Sequence, residues 1–203
     1  MVKWDEKRHA DLMAASRHLG ESDASKLAWV VRFANEDASL WHSAERATRG
    51  DCLLVLAGPG RVAPNQISPL PKPLDEDSVA TIHAELKHLL RDVVQGPANT
   101  TVSFKSGGHD VAITRATDEG VKPAIWGWSY TGNVQAVVLR VVADLILRAG
   151  DRLVACKFKG CRNPIVAHRK QEYCDATCSQ LARTAKKAQR RKGGHHGKAT
   201  RKR

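Results

Sequence analysis

Four cysteines in the last quarter of the chain, Cys156, Cys161, Cys174 and Cys178, form two close pairs separated by twelve residues. Thiolates are soft ligands. Four of them around one zinc ion satisfy its tetrahedral preference and leave no position open for water. Each close pair lets a single turn offer two sulfurs. In the first, Cys-Lys-Phe-Lys-Gly-Cys, Gly160 can take the positive backbone angle of a knuckle. In the second, Asp175 stands where it can cap a helix whose first turn holds Cys178, with the positive helix end facing the sulfurs. The pattern is that of one structural Zn2+, held for folding rather than for catalysis. Two disulfides, or four unrelated core cysteines, are the competing uses of these residues. His168 lies between the pairs and offers a substitute ligand, although four thiolates already suffice.

The charge sits beside this motif. The formal net charge of the 203-residue chain is +12. Residues 152–203 hold 16 Lys/Arg against two acids, Glu172 and Asp175, whereas residues 1–151 are slightly acidic. Such a segment attracts polyanions, nucleic acid first among them. Residues 176–192 suit a helix, with several alanines and no Gly or Pro. On a helical projection Arg183, Lys186, Lys187, Arg190 and Arg191 share one broad face, opposite a small stripe of Leu181, Ala185 and Ala188. The stripe is expected to pack on the finger, against Phe158 or Tyr173. The cations then look outward as the nucleic-acid-binding surface. Residues 193–203 read as a disordered basic tail, and its His195 and His196 as linker residues.

These residues resemble the CGNR zinc-finger proteins of bacteria. The shared pieces are Cys156-x4-Cys161, an intervening hairpin, Tyr173-Cys174, Cys178 and a helix rich in Arg and Lys. Where that family carries Cys-Gly-Asn-Arg, this chain carries Cys178-Ser179-Gln180-Leu181. The resemblance implies a mostly helical N-terminal domain of the ABATE kind. It also implies the function described for the family, stress-induced transcription regulation through DNA binding.

The elements that must position the cysteines follow from periodicity. Residues 5–19 read as a short helix and 24–48 as a longer one, with Leu27, Val30, Val31, Ala34, Leu40 and Trp41 at near-helical spacing. Cys52 to Ala57 is an apolar run that suits either a strand or a helix end. Gly58-Pro59-Gly60 and the prolines at 64, 69, 71 and 73 mark a loop. From Asp75 or Asp77 to about Val94, apolar residues recur at three- and four-residue steps, a helix ended by Gly96-Pro97. Alternation then takes over. Val102 and Phe104, a turn at Gly107-Gly108, then Val111 and Ile113 predict a hairpin. A third strand is expected over Ala124 to Tyr130, with Trp126 and Trp128 on one face. An apolar helix over 133–148 ends at Gly150 and leads almost directly into Cys156. Between the cysteine pairs, Pro164 to Ala167 going out and Gln171 to Tyr173 coming back suggest a small hairpin, which would give a treble-clef-like order.

The fold class is therefore α+β. Residues 1–150 are expected to form a mostly helical regulatory domain with a small antiparallel sheet, a candidate for homodimer contacts. Residues 151–192 are expected to form the four-cysteine zinc finger. No stretch is apolar enough for a membrane span, and the start lacks a signal-peptide pattern, so a cytoplasmic protein is expected. In a reducing compartment, clustered cysteines favour metal over disulfides. The chain lacks phosphate-loop, dinucleotide, hydrolase-elbow and metalloprotease motifs, and is read as a binding protein rather than an enzyme. His109 at the hairpin turn and Cys52 in its apolar run are read as structural. An RNA-binding accessory protein and a zinc-stabilised protein-interaction module remain the alternatives to DNA binding.

Overall fold

The computed structural model describes residues 5–58, 72–95, 101–106, 109–116, 120–125, 134–168 and 171–194, with backbone alone for the strands between 101 and 125 and for the helix end from 190. Among the described residues, six helices and two small antiparallel sheets follow one another along the chain. Helix α1 spans Glu6–Leu19, α2 Asp23–Asn35, α3 Ser43–Ala57 and α4 Glu76–Gln95. Strands β1 (Thr101–Ser106), β2 (His109–Ala116) and β3 (Gly120–Ile125) form a meander. Helix α5 (Val134–Ala149) leads into β4 (Leu153–Ala155), β5 (Pro164–Val166) and α6 (Ala176–Gly194).

The core lies where α2, α3, α4 and α5 meet. Helix α4 shows why. Val79, Ile82, Leu86, Leu89, Leu90 and Val93 are all buried, and their three- and four-residue spacing lines one stripe of the helix. Helix α5 contributes Val138, Val142 and Ile146, none of them exposed, and also touches the three-stranded sheet. Each fully buried aliphatic side chain of this kind contributes about 1.5–3 kcal/mol relative to exposure.

The expected helix over 24–48 is in fact two helices at an angle, and polar side chains make the break. Asp37 accepts the backbone N–H of Ser39 at 3.0 Å, which stops α2 and forms a short 3-10 turn over Ala38–Leu40. The His42 N–H then donates to the Glu45 carboxylate at 3.0 Å and starts α3. The break turns Trp41 inward, where it stacks on Phe33 with ring centroids 5.4 Å apart. Arg49 lies over the outer face of Trp41 at 4.6 Å and pairs with Glu36. The run from Cys52 to Ala57 is the end of α3, not a strand. Gly20, which ends α1, requires glycine twice over. Its φ is +74°, and a Cβ there would lie 2.8 Å from Cβ of Ser25.

The β1–β2 hairpin has the expected register, with Val102 opposite Ile113 and Phe104 opposite Val111. The third strand begins earlier than expected, at Gly120, and pairs through Ile125. The aromatic run of Trp126, Trp128 and Tyr130, and most of the proline loop, lie outside the described residues. His109 opens β2 opposite Ser106. Two interior polar features are unexpected from the sequence. Arg8 pairs with Asp51 at 2.5 Å beneath α1. His83 is 5% exposed and stands edge-on to both Phe33 and Trp41.

Burial, with the Lys87 charge adding to it, lowers the pKa of His83 from the ordinary 6.5. The unfolded chain therefore takes up a proton at His83 before the folded one does. The corresponding stability is present above pH 6.5 and is lost as pH falls below it toward the folded value. Denaturant titrations between pH 7 and 5 should show this decline, and His83→Phe should flatten it. An equal decline in the variant would assign the effect to other groups.

Candidate metal centre

The first two sulfurs sit on a loop that the helical body holds in place. Strands β4 and β5 pair antiparallel, Leu153 with Val166 and Ala155 with Pro164, and flank the loop of residues 156–163. Leu153 and Ile165 are buried, at 5% and 4% exposure. The carbonyl of Pro164 accepts from the Asn35 side chain of α2 at 2.8 Å. From α4, the Gln95 side chain donates to the Arg162 carbonyl, and Arg91 reaches Asn163. Within the loop, the Cys161 N–H closes a turn onto the Phe158 carbonyl at 2.8 Å, and the Cys156 N–H donates to the Asn163 carbonyl at 2.9 Å. Gly160 does not need a positive backbone angle here, contrary to the sequence expectation. The Phe158 ring lies over it, 3.0 Å from where a Cβ would stand, so a larger residue there would have to push the ring aside by a few tenths of an ångström.

The other two sulfurs arrive on a separate segment. The expected second limb over Gln171 to Tyr173 is not a strand; β5 pairs with β4 instead. Strand β4, placed before the first cysteine, takes the pairing because it is contiguous with the anchored end of α5. The 171–175 segment crosses back over the knuckle, where the Lys157 N–H donates to the Glu172 carbonyl at 2.9 Å, reinforced by the Lys157–Glu172 ion pair. Asp175 then caps α6 as expected. Its carboxylate accepts the Cys178 N–H at 2.6 Å, and its carbonyl accepts from Ser179.

All four Sγ atoms lie within 4.8 Å of one another. Cys174 is central, 3.5 Å from the Cys161 sulfur and 3.4 Å from that of Cys178. Sulfurs at about 2.3 Å from a central zinc, in a tetrahedron, are roughly 3.8 Å apart. The donor set thus fits such an ion with displacements of a few tenths of an ångström for the closest pairs. All four cysteines are free.

The electrostatics also call for a cation. Burial pushes the Cys178 thiol up to about 11 and raises Cys174 further. Burial opposes ionisation of Cys156 as well. There the Cys174 and Phe158 backbone groups, with the neighbouring sulfurs, outweigh it and bring the pKa below the ordinary thiol value. Left to itself the cluster favours a thiolate at Cys156 and resists ionisation at Cys174 and Cys178, where burial opposes the charge. A divalent ion removes that conflict and holds all four deprotonated. Asp175 stays ionised more readily than usual because the Cys178 N–H donates to it.

The remaining candidates fall elsewhere. His168 is exposed and stands outside the four-sulfur group; its carbonyl accepts from Gln171. Cys52 lies apart from the group in α3, buried at 1%, with its thiol pushed up to about 11 by burial and by the Asp51 charge. A thiol so buried is a weak nucleophile near neutral pH. Helix α6 runs through Gly194, two residues beyond its expected end, and 195–203 lie outside the described residues.

The expected packing of α6 is corrected. Leu181 is 47% exposed, and Ala185 and Ala188 are exposed too, so the apolar stripe is not packed on the finger. Cys178 is the anchor and sets the phase of the helix. Only Cys178, Ser179 and Ala182 turn toward the finger, and every residue from Arg183 to Gln189 is exposed. Arg183, Lys186 and Lys187 therefore stand in solvent, and the backbone of Arg190 and Arg191 continues the same helix. No acid occurs within α6.

Among the described residues no helix is long and apolar enough to cross a membrane. Compared with known proteins, the chain matches no family model, no curated protein and no solved structure.

Cys174→Ser should lower the zinc content of the purified chain below one ion per molecule, whereas Cys52→Ala should leave it unchanged. Metal analysis of both variants checks this, and full occupancy in Cys174→Ser would contradict the four-sulfur assignment.

Proposed function

We propose that the chain is a zinc-dependent DNA-binding protein, a transcription regulator of the kind the CGNR resemblance implies, working in the reducing cytoplasm where its thiols remain metal-bound. One structural zinc ion is held by Cys156, Cys161, Cys174 and Cys178. The observation that carries the reading is the state of α6. A 19-residue helix is about 28 Å long, and from Arg183 to Gln189 this one is exposed on every side, with cations and no acids. An amphipathic helix with a protein partner inside its own chain would bury its stripe. This one leaves its circumference free, as a helix entering a DNA major groove must.

Arg183, Lys186, Lys187, Arg190 and Arg191 would contact phosphates. Such contacts supply affinity and orientation without reading sequence. Gln180, Arg183 and Lys187 are the candidates to reach base edges from a helix lying in the groove. Duplex RNA offers a deep, narrow major groove that a helix does not enter, and the finger has only Phe158 and Tyr173 for base stacking, both half-buried. DNA is therefore preferred over RNA, and the body of residues 1–150 is assigned the regulatory part.

Two results follow. With four or five phosphate contacts, the slope of log affinity on log salt should lie near about −4. The charge-reversed variant Lys186→Glu, Lys187→Glu, Arg190→Glu, Arg191→Glu should lose binding while keeping its zinc and its circular dichroism. Salt-independent binding, or retained affinity in the reversed variant, would refute the nucleic-acid reading and leave the protein-interaction one.

A further inference from the structure

The metal cluster is assembled from two pieces of chain that differ in how they are held. Cys156 and Cys161 belong to the knuckle, which Asn35, Arg91, Gln95 and the buried Leu153 and Ile165 fasten to α2 and α4. Cys174 and Cys178 belong to the arm of residues 171–194, joined to the knuckle by the Lys157–Glu172 contacts and by the sulfurs themselves. The four cysteines are also unequally exposed. Cys156 and Cys178 are buried at 6% and 8% exposure, whereas Cys161 and Cys174 are half-exposed. The sulfurs of the two more exposed cysteines lie 3.5 Å apart, one on each piece.

The geometry points to Cys161 and Cys174 as an oxidation site, at which hydrogen peroxide forms a disulfide between knuckle and arm, expels the zinc and loosens the start of α6. This rests on the zinc reading above. In the first step one of the two thiolates attacks peroxide. The O–O bond breaks, one oxygen stays on sulfur as a sulfenic acid, and the other leaves as hydroxide and becomes water on protonation. The second thiolate then attacks the sulfenic sulfur. The S–S bond forms, the S–O bond breaks, and a second water leaves after protonation. The sulfur pair has lost two electrons, and the peroxide has been reduced to two waters. With Cys161 and Cys174 joined, Cys156 and Cys178 alone would no longer complete the four-thiolate shell of a divalent zinc ion.

The consequence is specific to the split site. The new bond crosses from knuckle to arm, so the arm stays tethered. Cys178 loses its link to Cys156, and with it the constraint that fixes the direction of α6. A Cys174–Cys178 disulfide would instead lie wholly within the arm and free it from the knuckle. Which bond forms therefore decides whether oxidation redirects the helix or releases it.

The experiment uses the full chain loaded with zinc, its metal content measured first. It is treated with hydrogen peroxide in the presence of a zinc-sensitive dye, then alkylated, digested and mapped by mass spectrometry. One equivalent of zinc released, with a Cys161–Cys174 peptide pair lighter by two hydrogens, is the expected result. Restoration of the metal site by a thiol reductant and added zinc is expected as well. Zinc retained at peroxide levels that oxidise a free cysteine peptide would overturn the proposal, as would a map showing any other disulfide. The same mapping on the chelated chain separates the two readings. If the purified chain neither holds nor takes up zinc, the metal reading fails, while the presence or absence of the Cys161–Cys174 bond still decides the choice of pair.

Discussion

Four sulfurs within 4.8 Å cannot all be anionic unless a cation stands among them. The C-terminal quarter is organised around that constraint. Burial pushes the Cys174 and Cys178 thiols up, whereas Cys156 is drawn down by the groups that point at it. A divalent ion would turn this conflict into a link between two pieces of chain whose other contacts include the Lys157–Glu172 backbone bond and ion pair and the Cys174 backbone group at the Cys156 sulfur. An exposed pair such as Lys157–Glu172 is a weak fastening, easily screened by salt. The body side needs no such help. Its β4–β5 hairpin has buried aliphatic residues and side-chain bonds from two helices.

The same constraint explains the posture of α6. A basic helix would ordinarily settle its apolar residues against the nearest protein surface. Here the helix turns the buried Cys178 toward the other sulfurs, and Leu181 is left exposed. Asp175 contributes by capping the first turn and by placing a carboxylate beside the arm's own sulfur. The charge asymmetry then acquires a spatial meaning. The slightly acidic body holds the knuckle, and the strongly basic arm projects from it.

Much of this was legible in residue types at fixed spacing. The cysteine pairs, the Asp175 cap, the stripe on α4 and the β1–β2 alternation each depend on local chemistry, and the structure has them where the spacing put them. What the sequence hid depends on competition between distant segments. Pro164 to Val166 had two candidate partners. The residues preceding Cys156 took the pairing because the end of α5 already delivers them to that position. The split between α2 and α3 was carried by Asp37 and by His42 with Glu45, polar signals that a count of apolar periodicity passes over. The inward turn of Trp41 and the Arg8–Asp51 pair are tertiary outcomes with no local signature.

Hydrogen exchange before and after removal of the metal tests the account most directly. Local opening should follow the fastening of each piece. With a chelator, amides of residues 171–182 should lose protection, while those of β4, β5, α2 and α4 keep theirs. Protection of 171–182 that survives chelation would contradict the claim that the metal is what binds arm to body, and so would simultaneous loss of protection across the whole chain.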